Sequence, residues 1–158
     1  TEALDQEERA RLRLPPAGAT VDPGRLPPLE EAERADPEAV AARFALIRTN
    51  YAVDEDPAAL GARSSAYVVP RLGEDLRSSS AGAAHLAELR GQNVVFVGDV
   101  VGLVTTERSA SRSVVDLTVQ RSTVGRDVPQ PGRLEFWRVT LVRYADSGHW
   151  LVASLRLS

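Results

Sequence analysis

Apolar residues at helical spacing predict a first helix that starts at residue 36. Asp36 is a good N-cap, Pro37 suits the first helical position, and Glu38 suits the positive end of the helix dipole. The residues that recur at i, i+4, i+7 and i+11, and so share one face, are Val40, Phe44, Ile47 and Tyr51. We expect this face to pack against another element.

A second helix is predicted to begin at the same kind of cap, Asp56-Pro57, and to end before Pro70. Its expected inward positions are Leu60, Ser64 and Tyr67. Leu72 and Leu76 indicate another turn or two of helix, and Ala83–Arg90 is predicted to form a further short helix.

From Gln92 the pattern changes to extended chain. Val94–Val97 and Val100–Val104 are rich in valine, and the Gly98-Asp99 pair between them predicts a bulge or a bend that lets one long strand curve. Apolar and polar residues then alternate over 115–120, which is typical of a strand with one face in water. A proline-containing loop, Gly125–Gly132, leads to the last two strands.

The chain closes with a predicted β-hairpin, Arg133–Leu157, turned at residues 145–148. Its tryptophans, Trp137 and Trp150, are expected to close the core between sheet and helix. The first strand is apolar on both faces. Trp137, Val139 and Leu141 share one face, and the other carries a candidate interface formed by Phe136, Val142 and Tyr144.

Helices followed by a run of antiparallel strands predict an α+β fold, in which the N-terminal helices pack in the concave face of a curved sheet of about four strands. We expect this domain to span residues 36–158. Residues 1–35 combine a charged run with prolines at 15, 16, 23, 27 and 28, which favours a stalk or linker. The charged run Asp5–Leu14 could be helical, but its apolar residues are too few to bury a face. A tail, or a segment that wraps the domain, is the alternative.

Composition excludes several kinds of protein. The net charge of −3 disfavours direct nucleic-acid binding, and the absence of cysteine excludes disulfides and thiolate chemistry. The chain starts at Thr1 and has no methionine, so we expect that a segment was removed from its front. No run of 18 apolar residues is present.

Candidate chemistry is sparse, and no cofactor is expected. His85 and His149 lack the spacing of a metal site, and neither a nucleophile motif nor a phosphate loop is present. One candidate pocket is conceivable, because Asp99 is flanked by valines and could lie in an apolar cavity with Tyr51 or Tyr67. The competing interpretation is a bulge aspartate that faces solvent.

Three phrases together resemble a known family: DPEAVAARFALIRTNYAVD, EDPAALGARSSAYVVPRL and RLEFWRVTLVRYADSGHWLVASLRL. They are similar to the nuclear transport factor 2-like cone domains of actinobacterial and other Gram-positive envelope proteins. Two groups are closest: the inner-membrane scaffold subunits of conjugative type IV secretion systems, and the membrane proteins associated with mammalian-cell-entry lipid importers. The phrase Tyr67–Leu72 favours the conjugation group.

The resemblance implies a non-catalytic domain outside the cytoplasm, anchored by a membrane helix before Thr1, that binds other subunits of a transport machine and copies of itself. An enzyme or small-molecule binder of the same fold, with its pocket around Asp99, is the main alternative. A secreted or lipid-anchored protein unrelated to any secretion system is another.

Overall fold

The chain is described by a computed structural model that covers residues 4–16, 26–52, 63–77, 95–124 and 130–157. The helices are α1 (Gln6–Arg11), α2 (Glu31–Arg34), α3 (Pro37–Thr49) and α4 (Pro70–Arg77). The strands are β1 (Tyr51–Ala52), β2 (Val95–Arg108), β3 (Arg112–Val124), β4 (Gln130–Arg143) and β5 (Trp150–Leu157). The helix predicted to start at Asp56-Pro57 begins outside the described residues, and the one predicted at Ala83–Arg90 lies entirely outside them.

The strands form one curled antiparallel sheet in the order β1-β2-β3-β4-β5. This confirms the α+β fold class with its four long strands. The sequence did not predict β1, which adds a short fifth strand by pairing Tyr51 with Phe96 and Ala52 with Val95. Tyr51 therefore lies beyond the end of α3 and does not extend its apolar stripe.

Helix α3 begins as predicted, since the Asp36 side chain accepts a hydrogen bond from the Glu38 backbone N–H at 3.0 Å. The buried surface of α3 is wider than one apolar stripe, because alanines on its other faces are as buried as Val40 and Phe44. The sheet covers one side of the helix and the N-terminal segment covers another. A helix enclosed in this way needs small residues where neighbours come close, which explains Ala39, Ala41, Ala42 and Ala45.

We call residues 4–16 the N-terminal strap. Helix α1 within it confirms that the charged run can be helical, but the expectation that this run cannot bury a face is wrong. Leu12 and Leu14 belong to the same buried cluster as Phe44 and Trp137, and Leu29 joins them from the next described segment. Parts of residues 1–35 thus contribute to the core, while the division into a 1–35 stalk and a 36–158 domain stays a prediction.

Replacing Leu12 tests whether the strap is part of the folded core. Leu12 is fully buried, so Leu12→Ala should lower the free energy of unfolding by about 2–5 kcal/mol, as buried leucines do elsewhere. Urea unfolding followed by circular dichroism measures the loss. The matched control is Leu134→Ala, because Leu134 is 56% exposed and should change stability by only about 0.5 kcal/mol. Equal effects of the two substitutions would show that the strap does not pack in solution.

The terminal hairpin matches its prediction closely. Strand β4 ends at Arg143, β5 begins at Trp150, and the turn closes with Gly148 at a φ of 74°, where a side chain would be strained. Both tryptophans are buried, and Trp137 packs edge-on against Phe44 with ring centroids 6.4 Å apart. The tryptophans therefore belong to the core, as expected.

The bend in β2 is displaced from its predicted place. Gly98 and Asp99 lie opposite Arg121 and Gln120 in regular register, and the irregularity falls between Val100 and Gly102. Gly98 serves another purpose, because a Cβ there would overlap the side chain of Thr49 at the end of α3. The glycine lets the helix approach the strand, which local sequence patterns do not reveal.

Candidate functional site

Asp99 is ion-paired with an arginine from the strap. Arg9 Nη2 lies 2.7 Å from Asp99 Oδ1, and the Arg9 side chain is almost fully buried. The same guanidinium donates to the carbonyl of Val100 at 2.9 Å and to that of Pro15 at 2.9 and 2.6 Å. The charge of Asp99 is thus matched by a residue far away in the sequence, and this contact ties the strap to the bend of β2.

The two candidate tyrosines make contacts in different parts of the sheet. Tyr51 stacks on Phe96 at 4.7 Å between centroids, beside β2. The Tyr67 hydroxyl accepts a hydrogen bond from the Leu29 backbone N–H at 2.9 Å, and Arg34 lies over its ring. The Tyr67 carbonyl also accepts a hydrogen bond from the backbone N–H of Val152 in β5. Strands β5 and β1 form opposite edges of the sheet. The candidate pocket of Tyr51, Tyr67 and Asp99 stays a prediction.

The face of the sheet that points away from α3 is partly apolar, and we call it the outer face. Val104, Leu134 and Phe136 lie on it and are 46%, 56% and 51% exposed. A groove of about 520 Å³ runs between Val104 and Phe136. Phe136 was predicted from the sequence, while Val104 and Leu134 were not. In the register Val104 lies opposite Asp116 and Leu134 lies opposite Gln120, which are polar residues of the outer face.

Charged residues of both signs line the same groove. Arg138 donates two hydrogen bonds to Asp116, at 2.8 and 3.0 Å, and these bonds hold the pKa of the Asp116 carboxyl below its ordinary value. Arg156 lies opposite Arg138 on β5 and also lines the groove. The outer face therefore combines exposed apolar area with an ordered ion pair and a second arginine.

The other two candidate interface residues lie further along β4 and just beyond it. Val142 is half-buried between Arg112 and Leu151 in the register, and Tyr144 is 45% exposed after the strand ends. By alternation along β4, Val142 shares the outer face with Phe136. The interface formed by Phe136, Val142 and Tyr144 stays a prediction, with exposed apolar area at two of its members.

His149 is used in a contact between distant segments. Its Nε2 lies 2.6 Å from Glu31 Oε2, and this contact lowers the pKa of Glu31. Within the described residues, no group of three or more histidine, cysteine or acidic side chains is arranged to hold a metal ion. In the same parts of the chain, none of the helices has the length and apolar character needed to cross a bilayer.

Comparisons with known proteins identify the fold. A scan against protein-family models gave no match, and a search of curated proteins gave none either. A periplasmic fragment of TraM is similar in structure, with a TM-score of 0.61 and 11% identity over 75% of this chain and 92% of that one. The VirB8 protein of Agrobacterium tumefaciens gives 0.56 and 12% over 84% and 96%. CagV of Helicobacter pylori, a VirB8 homologue of a type IV secretion system, gives 0.52 and 6% over 76% and 94%.

These likenesses define the class of domain. The chain has the nuclear transport factor 2-like α+β fold, as its resemblance implied, and it shares this fold with the TraM fragment, with VirB8 and with CagV, the VirB8 homologue of a type IV secretion system. At 6–12% identity these structures establish the fold alone, because one fold serves many functions.

Proposed function

We propose that this chain is a non-catalytic scaffold domain of a conjugation or type IV secretion machine, displayed on the extracytoplasmic face of the membrane. In this proposal the full-length protein is anchored by a membrane helix before Thr1, and the domain acts by binding copies of itself and other subunits. The fold of TraM, VirB8 and CagV supports the assignment to such a machine.

The outer face is the observation that carries the scaffold role. Apolar side chains fill the space between the sheet and α3, where the strap adds Leu12 and Leu14. Exposed apolar area lies on the opposite side of the sheet, around Phe136. Buried aromatic residues contribute most of the binding energy at protein interfaces, so this face favours protein binding.

We assign the outer face to a second copy of the chain. A two-fold interface brings the same surface of two subunits together, so it must be complementary to itself. The groove meets this condition because it carries the carboxylate of Asp116, the guanidinium of Arg156 and the ring of Phe136 on one surface. Each copy can offer an acid and a base to the other around a shared apolar centre.

Phe136→Ser tests this assignment in the full-length protein and in the isolated chain. The substitution removes an exposed ring and should weaken dimerisation by about tenfold or more, if the ring is a central contact. Sedimentation equilibrium over a range of concentrations measures the association. Because Phe136 is 51% exposed, the thermal unfolding midpoint should change little.

The control is Leu157→Ser, which removes a similarly exposed apolar side chain from the opposite face, at the end of β5 and opposite Trp137. We expect Leu157→Ser to associate like the original chain. A strict monomer at high concentration would contradict self-association. Association that is equally weakened by both substitutions would remove the outer face from the proposal. Capture of other secretion subunits that depends on Phe136 would assign the face to them instead.

A further inference from the structure

Arginines gather on the inner face of the sheet where α3 ends. Thr49 touches Gly98 of β2, and a Cβ atom added to Gly98 would point at this end of the helix. Arg121 is the direct partner of Gly98 on β3, and Arg133 is the direct partner of Arg121 on β4. Directly paired residues of an antiparallel sheet share a face, so Arg121 and Arg133 lie on the side of α3. We call Arg48, Arg121 and Arg133 the arginine cluster.

One carboxylate lies within the cluster, in the part of the chain that the structure describes. Glu135 is 3.0 Å from Arg133 and 3.4 Å from Arg121, and it also accepts the indole N–H of Trp137 at 3.1 Å. This single negative charge contacts two of the three guanidinium groups, those of Arg121 and Arg133. Like charges placed directly across a sheet are destabilising. The excess of positive charge over negative charge in the cluster is therefore unfavourable while no ligand is bound.

Arg48 brings the third positive charge from the last turn of α3. Burial lowers the pKa of its guanidinium, and the charge of Arg121 lowers it further, while Tyr51 acts in the opposite direction. Among the described residues, no carboxylate forms an ion pair with Arg48. Its neighbours in the chain, Thr49 and Asn50, are fixed against Gly98, so the side chain starts from a rigid position beside Arg121.

We propose that Arg48 and Arg121, beside the ring of Tyr51, bind a carboxylate group that an acidic segment of a partner protein presents. A guanidinium has five N–H donors, and Arg121 makes only one long bond to Glu135, so donors remain for a second carboxylate. The stacked rings of Tyr51 and Phe96 provide an apolar wall for the methylene groups of a glutamate side chain. A ligand carboxylate would also relieve the repulsion within the cluster.

This site is independent of the outer face used in the proposed function. It lies on the opposite side of the sheet, so the failure of one assignment leaves the other unchanged. It also differs from the candidate pocket around Asp99, because its charge is positive and its central residues are Arg48 and Arg121.

The test uses three probes: a blocked tri-glutamate peptide, its tri-glutamine counterpart and inorganic phosphate. Titration calorimetry at low salt measures binding to the chain, since salt screens exposed charges. We expect tri-glutamate to bind and tri-glutamine to give no signal. Arg48→Gln and Arg121→Gln should each weaken tri-glutamate binding by about tenfold or more, the loss expected for a charge-assisted bond. Arg108→Gln is the control and should bind as before, because Arg108 is exposed at the end of β2 that is far from Gly98.

Thermal unfolding gives a second measurement. Without peptide, Arg48→Gln should unfold at the same or a higher temperature, because it removes repulsion. If that variant does not fold, Arg48→Lys keeps the charge, lacks the planar fork and should still bind tri-glutamate more weakly. The proposal is overturned if tri-glutamate fails to bind at millimolar concentration, or if Arg108→Gln weakens its binding as much as Arg48→Gln does. Tighter binding of phosphate than of tri-glutamate would also overturn it and assign the cluster to phosphate groups.

Discussion

Gly98→Ala should destabilise this domain by about 3 kcal/mol or more, because the new methyl group would overlap the side chain of Thr49. The backbone of β2 cannot move away easily. Asn50 Nδ2 donates to the Gly98 carbonyl at 2.8 Å, and the Gly98 N–H donates to Asn50 Oδ1 at 3.2 Å. Asn50 also bonds back to Leu46, so a shift at Gly98 disturbs the end of α3 as well.

Urea unfolding of Gly98→Ala and of a control, Gly132→Ala, measures this effect. At Gly132 an added methyl group meets the end of the flexible Gln120 side chain at 3.0 Å, so the neighbour can move and the change should be small. Adding Thr49→Gly to Gly98→Ala should restore part of the loss, because it removes the atoms that overlap. Similar stability of the two alanine variants would show that the helix does not approach the strand as closely as described.

Arg9→Leu should lower the free energy of unfolding by about 2–4 kcal/mol, because it leaves buried acceptors without a donor. The carbonyls of Val100 and Pro15 lose their side-chain partner, and Asp99 loses its counter-ion. Asp99 keeps some contact with water, with 29% of its side chain exposed, which limits the loss. Urea unfolding measures the change.

A double-mutant cycle with Asp99→Asn separates the ion pair from the bonds to the carbonyls. We expect the two substitutions to be non-additive, with Arg9→Leu much the larger. The control Arg138→Leu breaks an exposed ion pair with Asp116 and should have a small effect. If Arg9→Leu were as mild as this control, the strap would not be held at β2 in solution.

Local patterns were sufficient to predict most of the elements. The Asp36-Pro37 cap, the alternation in β3 and the turn before Trp150 each depend on neighbouring residues, and the structure has all three where they were predicted. The exposure of Phe136 was also visible from alternation along β4, because a strand with two apolar faces can bury only one against its own core.

The candidate sites depended on contacts between distant residues. The neighbours of Asp99 in the sequence are mostly apolar, while its partner Arg9 lies in the strap, some ninety residues earlier. The arginine cluster could not be predicted for the same reason, since Arg48, Arg121 and Arg133 belong to a helix and two strands. Their proximity follows from the strand register and from the approach of α3 to Gly98.

By itself, the sequence determined the α+β class, the caps and turns, and the inward and outward positions of the last strands, because these follow from the period of apolar residues and from local backbone chemistry. Only the tertiary structure decided that Leu12 and Leu14 join the core, that Gly98 serves close packing, and that arginines meet at the end of α3. The physical reason is that the burial of a side chain and the charges around it depend on which distant segments the folded chain brings together. Leu12 and Leu14 lie in a short charged segment, and they become buried only because that segment covers the core.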